Sequence, residues 1–154
     1  MIQKGRIIGI LWWCVALLMV DRITKIWALH ACVVPWHINR FFSCILTFNR
    51  GVSWSLLSFS DNTYFYLLTA MIIIMTMMIM LYAMQRYQSK QSIIGELLIV
   101  VGSVSNIIDR ILYGGVIDFI LLSYNSWSWP VFNVADICIV LGVFYMIVQS
   151  YRAA

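Results

Sequence analysis

Four aspartates, three of them beside amides or cations, stand at spacings that suggest a shared site. Asp21 has Lys25 four residues on, Asn106 precedes Asp109 and Arg110, Asp118 follows nine residues later, and Asn133 precedes Asp136. The chain has only six acidic residues, so four of them in or beside apolar stretches is a concentration that needs a reason. Two aspartates brought to one place cannot both ionise cheaply. One keeps its proton, which leaves a carboxylate able to activate water beside a carboxylic acid able to donate. That is aspartyl-protease chemistry, and it calls for no metal and no cofactor.

Each acid also has a structural reading. Asn133-x-x-Asp136 has the spacing of a helix N-cap with an acid at the third position, favourable to the helix dipole. Asp109, at a helix C-terminus, opposes the dipole, and the adjacent Arg110 offers an ion pair. Asp21 and Lys25, at i and i+4, make a helical salt bridge in the favourable orientation. Asp118, in "GGVIDFILL", has neither a basic neighbour nor a capping role. Other chemistries lack their parts: there is no Gly-rich phosphate loop, no HExxH and no CxxC pair. His30 and His37 read as interfacial residues of the first outer loop. Cys14, Cys32, Cys44 and Cys138 read as packing residues, although Cys32 and Cys44 share a loop and can pair if it faces an oxidising compartment.

The elements that must position these groups are membrane spans. Of 154 residues 63% are hydrophobic and 10% charged, against roughly 25% charged in soluble domains. Ten Lys/Arg against six Asp/Glu are too few and too scattered for a nucleic-acid surface. Four stretches reach the roughly 20 residues that a span needs: 7–28, 63–84, 93–112 and 131–150. The expected fold is an all-α membrane protein of four transmembrane helices, one domain over 1–154, with a small extracytoplasmic β-rich region in the outer loops 29–62 and 113–130. Within the first loop "FFSCILTFNRGVSWSLLSFS" reads as short strands around a turn at Asn49-Arg50-Gly51. Trp127 and Trp129 suit an interfacial belt.

Four spans put both termini on one side. The cations divide five and five, so orientation depends on pairing: if Arg22, Lys25 and Arg110 meet neighbouring acids, the termini side keeps the excess and is cytoplasmic. Lys4 and Arg6 before an apolar run, and "LHAC" at 29–32, imitate a secretory signal. Asp21, Arg22 and Lys25 interrupt it, so 7–28 reads as a retained span. With this topology Asp21, Asp109, Asp118 and Asp136 share one depth, at the outer boundary of the hydrocarbon. Ionisable groups held there point to function.

The blocks carrying these residues resemble those of the bacterial lipoprotein signal peptidases (signal peptidase II), in order and over nearly the whole chain. Asp21-Arg22-Ile23-Thr24-Lys25 is similar to the family's D-x-x-[ST]-K, and Asn49-Arg50-Gly51 to its N-x-G turn. Asn106-Ile107-Ile108-Asp109-Arg110 is similar to N-x-x-D-R, Val116-Ile117-Asp118-Phe119 to V-x-D-F, and Phe132-Asn133-Val134-Ala135-Asp136 to F-N-x-A-D. The chain departs at Val101-Gly102 and Ser105, where the family often has Gly-Gly and Gly, at Ser53-Trp54, where Ala-Phe is usual, and at Arg50. No departure touches an acid.

The resemblance implies a catalytic dyad of Asp118 and Asp136. Asn106, Asp109, Arg110 and Asn133 would hold the dyad and substrate, with Asp21, Lys25, Asn49 and Gly51 supporting or contacting substrate. Pattern and resemblance together make residues 37–60, with their Phe, Trp and Leu, a clamp lying on the membrane. It implies prolipoprotein substrates whose cysteine carries diacylglycerol, cut on the N-terminal side of that cysteine, membrane lipids as surroundings, and inhibition by globomycin-type compounds. The implied place is the bacterial cytoplasmic (inner) membrane, with the site facing the outer leaflet. At Asp136 catalysis is preferred to capping, which is kept for Asn133; which aspartate starts protonated stays open. The competing class is a small proton-coupled transporter or channel subunit that uses the same acids as a relay.

Overall fold

The computed structural model describes residues 2–51, 62–125 and 127–153. Four helices carry the chain: α1 (Ile2–Ala31), α2 (Asn62–Gln88), α3 (Ile94–Tyr113) and α4 (Val134–Ala153). They overlap the four apolar stretches read from sequence and run a few residues beyond most of their ends. Two of them, α2 and α4, are long and apolar enough by themselves to cross a membrane. α3 is the central helix, packed on α1, α2 and α4.

The α3–α4 contact is close because small residues line it. A Cβ on Gly102 would run into the Ala135 carbonyl and the Ile139 side chain. That approach brings the face of α3 bearing Asn106 against the first turn of α4. α3 stops at Gly114, whose φ of 68° is the left-handed conformation that glycine tolerates in a helix C-cap. The chain can then turn directly into a strand.

The β-rich region is a four-stranded antiparallel sheet in the order β1 (Trp36–His37), β2 (Phe42–Asn49), β3 (Val116–Tyr124), β4 (Trp127–Ser128). The central pair joins the two outer loops, with Thr47 opposite Asp118 and Asn49 opposite Val116. β2 is one eight-residue strand that ends at the Asn49-Arg50-Gly51 turn. It pairs with β1 on one side and β3 on the other; residues 52–61, with Ser53-Trp54 and the far part of the expected clamp, lie outside the described residues.

Alternation along β3 separates two environments. Phe119 points into a small core with Ala28, Cys32 and Cys44, while Asp118 turns away from it. Within that core Cys32 and Cys44 are joined by a disulfide, with Cα atoms 5.4 Å apart. The packing reading therefore holds for Cys14 and Cys138, which are free, and fails for this pair. Hydrophobicity alone could not tell a buried thiol from half of a bridge.

The disulfide closes a twelve-residue separation between the end of α1 and β2, a loop whose closure contributes about 3 kcal/mol. Denatured, unreduced protein should present two titratable thiols, and four after reduction. Replacing Cys32 and Cys44 together with serine should lower stability by about that amount. Four thiols before reduction would show that the bridge does not form.

Candidate active site

Toward the C-terminal end of α1 the ammonium of Lys25 is 1% exposed. Burying such a charge is tolerable only with charged and hydrogen-bonding partners. Lys25 Nζ meets Asp21 Oδ2 at 2.9 Å, Asp109 Oδ2 at 2.7 Å and the Asn106 side-chain oxygen at 2.8 Å. Arg22 adds a second cation, 2.6 Å from Asp109 Oδ1 and 3.5 Å from Asp21 Oδ2. Two cations and two carboxylates make this knot neutral.

Each acceptor around Lys25 also reaches another element. Asp21 Oδ1 accepts the Ala135 amide at the start of α4, at 2.7 Å. Asp109 Oδ2 accepts the Ile117 amide of β3, at 3.2 Å. The Asn106 amide donates to Asp136 Oδ1, at 2.9 Å. Ser105, fully buried on α3, donates its hydroxyl to Asp21 Oδ2.

The expected Asp109–Arg110 ion pair does not form. Successive residues on a helix point in different directions, so neighbours cannot face each other. Asp109 turns to α1. Arg110 instead donates to the backbone carbonyls of Arg50 and Gly51, with its guanidinium over the Phe65 ring at 5.4 Å from the centroid. It ties the Asn49-Arg50-Gly51 turn to α3 and to the start of α2.

Asn133 joins the remaining two acids. Its backbone amide donates to Asp136 Oδ2 at 3.1 Å, and its side-chain oxygen accepts the Asp136 amide at 2.9 Å. This reciprocal capping box starts α4, so capping involves Asp136 as well as Asn133. The Asn133 side-chain amide donates to Asp118 Oδ1 at 2.6 Å and lies 3.2 Å from the Ile117 carbonyl. Asp118 Oδ2 accepts from Asn49 at 3.0 Å. Asn49 lies two residues from the register partner of Asp118, on the same sheet face and within diagonal reach.

Asp118 and Asp136 therefore come from a strand and a helix onto one residue, Asn133, and both line a cavity of about 410 Å³. Asn49, Gly51, Asn106 and Arg110 line it too, and its remaining wall is made of apolar residues of α2, α3 and α4. Asp21, Lys25 and Asp109 stand behind this surface as its support. A second cavity, of about 400 Å³, opens on the other side of Asn49 and Asp118 toward Arg50 and Trp129. Burial first, and then the charge of Asp136, raise the Asp118 carboxyl to a pKa of about 7, against the hydrogen bonds from Asn49 and Asn133 and the charge of Lys25. Two carboxyls so held can share one proton near neutral pH.

Sequence reasoning overlooked Ser105 and the double role of Asn133. Ser105 was visible as a departure from glycine. Its partner, Asp21, lies 84 residues away, so no local signal named it.

The fold is that of a bacterial membrane enzyme. Two such enzymes, solved by the in meso method at 2.3 and 1.9 Å resolution, match with TM-scores of 0.75 and 0.74 at 22% and 21% identity, covering 94% and 95% of this chain and 88% and 94% of theirs. The family model for signal peptidase (SPase) II matches residues 13–152. The lipoprotein signal peptidase of Pseudoalteromonas atlantica is 31% identical over 92% of this chain and 88% of its own length, and that of Methylorubrum extorquens 36% identical over 90% and 83%. The chain belongs to the signal peptidase II family.

Replacing Asp109 with asparagine should leave Lys25 and Arg22 under-compensated in a buried place, a loss of about 3–5 kcal/mol. Thermal unfolding and peptidase activity should fall together. A variant of undiminished stability that is inactive would instead place Asp109 in the chemical step.

Proposed function

We propose that the chain is an aspartyl endopeptidase that removes signal peptides from diacylglyceryl-modified prolipoproteins, cutting N-terminal to the lipidated cysteine. The observation that carries the reading is the meeting of Asp118 and Asp136 at Asn133, on a cavity whose other walls are apolar. Family membership, and the lipoprotein signal peptidases among the relatives, support the substrate class.

In this reading the chain is a single four-span domain with both termini cytoplasmic. Charge alone gives weak support for that orientation, since among the described residues Arg110 makes no salt bridge, feeling Asp118 and Asp136 only at longer range, and Arg86, on the opposite side, pairs with Glu96 at 3.0 Å. The disulfide is the stronger argument, because such bonds persist in oxidising compartments. It favours a sheet and site on the outer side of the cytoplasmic membrane. The acyl chains of the substrate then stay in the outer leaflet, with the scissile bond near headgroup level.

Asp118 carries the shared proton, and Asp136, at the N-terminus of α4, is the carboxylate. Asp136 takes a proton from a water between them, and the hydroxide adds to the scissile carbonyl. Asp118 hydrogen-bonds the carbonyl oxygen and stabilises its developing charge. On collapse the C–N bond breaks and the proton taken up by Asp136 passes to the departing amine of the lipidated cysteine. Asn133 fixes both carboxyls, and the Lys25–Asn106 pair holds Asp136 from behind. A proton relay across the membrane would need polar groups continuing below the dyad; among the described lining residues there are only the hydroxyls of Thr76 and Ser103.

Asp118→Asn and Asp136→Asn, each folded and inserted, should process a lipidated prolipoprotein at least 1,000-fold more slowly than the wild type, a loss of about 4 kcal/mol of transition-state stabilisation. Precursor and product on a gel give the rates. Wild-type processing by either variant would refute the dyad.

A further inference from the structure

The cavity holds one hydroxyl with nothing to do. Ser103 is 9% exposed and lines the membrane side of the cavity between apolar walls. In a helix, serine usually returns its hydroxyl to the carbonyl one turn back, yet among the described residues Ser103 has no hydrogen-bond partner. Its oxygen opens on the cavity, on the face of α3 that carries Asn106 and Arg110, three and seven residues further on.

The other polar donors of the cavity are engaged. Asn49 donates to Asp118, Asn106 to Asp136, and Arg110 to two backbone carbonyls. Thr76, on the facing wall, donates to the Ile72 carbonyl at 2.7 Å. Ser103 is thus the uncommitted hydroxyl on the membrane side, and it lies roughly 4.5 Å below Asn106 along the helix axis.

A peptide cut in this cavity has a demand that matches. Attack on a backbone carbonyl requires the apolar signal helix to unwind locally, which frees carbonyls from their helical bonds. In a space without bulk water each freed carbonyl must find a donor. An extended chain advances about 3.3 Å per residue. A donor one turn below the aspartates therefore meets the chain one or two residues before the scissile bond.

We propose that Ser103 is a substrate-binding residue whose hydroxyl donates to a backbone carbonyl of the unwound signal-peptide segment, one or two residues N-terminal to the bond that is cut. This rests on the peptidase reading above. It gives Ser103 a part in recognising an unwound backbone, independent of side-chain sequence. The hydroxyl is thus a donor left open to the cavity, available to a bound chain.

The test is Ser103→Ala in purified full-length protein, assayed on a synthetic prolipoprotein peptide bearing diacylglyceryl-cysteine, with thermal unfolding measured in parallel. The expected result is a roughly 3- to 10-fold fall in kcat/KM, carried mainly by KM, the size of one lost hydrogen bond. The unfolding midpoint of the free protein should not fall, because the hydroxyl makes no bond within the described residues. A kcat/KM within 1.5-fold of wild type overturns the proposal, as does a loss in kcat alone or a loss that tracks a lower unfolding midpoint. Absence of cleavage by the wild type would overturn the peptidase reading itself, and this proposal with it.

Discussion

A buried ammonium demands acceptors, and satisfying the one on Lys25 assembles this site. Its three partners are two carboxylates and an amide oxygen, on α1 and α3. Each is bifunctional: Asp21 reaches the first turn of α4, Asp109 reaches β3, and Asn106 reaches Asp136. The charge that is costly to bury is thereby the point where helices and sheet are fixed relative to one another. With Arg22 the knot is neutral, which lets it lie among the ends of apolar helices without drawing water in.

The site is built in two layers around that knot. The inner layer is charged, buried and closed. The outer layer is made of amides: Asn49, Asn106 and Asn133 carry the orientation outward to Asp118 and Asp136 and leave those two acids on the cavity. Amides suit this task because they donate and accept without adding charge. Ser103 stands apart from these amides, because its hydroxyl faces the cavity without a partner among the described residues.

Much of this was legible in the sequence, and the exceptions have physical causes. Helix positions followed from unbroken apolar length, which local composition determines. The capping box followed from Asn133 and Asp136 at N-cap spacing, and Asp118 stood out because no local role accounted for it. The partner of Asp109 was misread because Arg110 is adjacent in sequence, whereas the helix turns it toward the Asn49-Arg50-Gly51 carbonyls and leaves Asp109 to Arg22, 87 residues away. The Cys32–Cys44 bond and the Ser105–Asp21 contact depend likewise on which elements pack together. Strand β3 falls in the loop 113–130, where a β-rich region was expected but no strand was placed, because its pairing with β2 joins the two loops across the fold.

The central claim is that one of two coupled carboxyls keeps its proton near neutrality so that the other can act as a base. The pH dependence of kcat/KM on a diacylglyceryl prolipoprotein peptide tests it most directly. Asp118, raised to about 7 by burial and by Asp136, is protonated below that pH and ionised above it. Activity should therefore hold on the acid side of neutrality and fall as pH rises through about 7, with the fall displaced when burial of the site is relaxed. A profile that is flat from about pH 6 to 9, or one that rises through 7, would contradict a protonated Asp118 and with it the proposed division of labour.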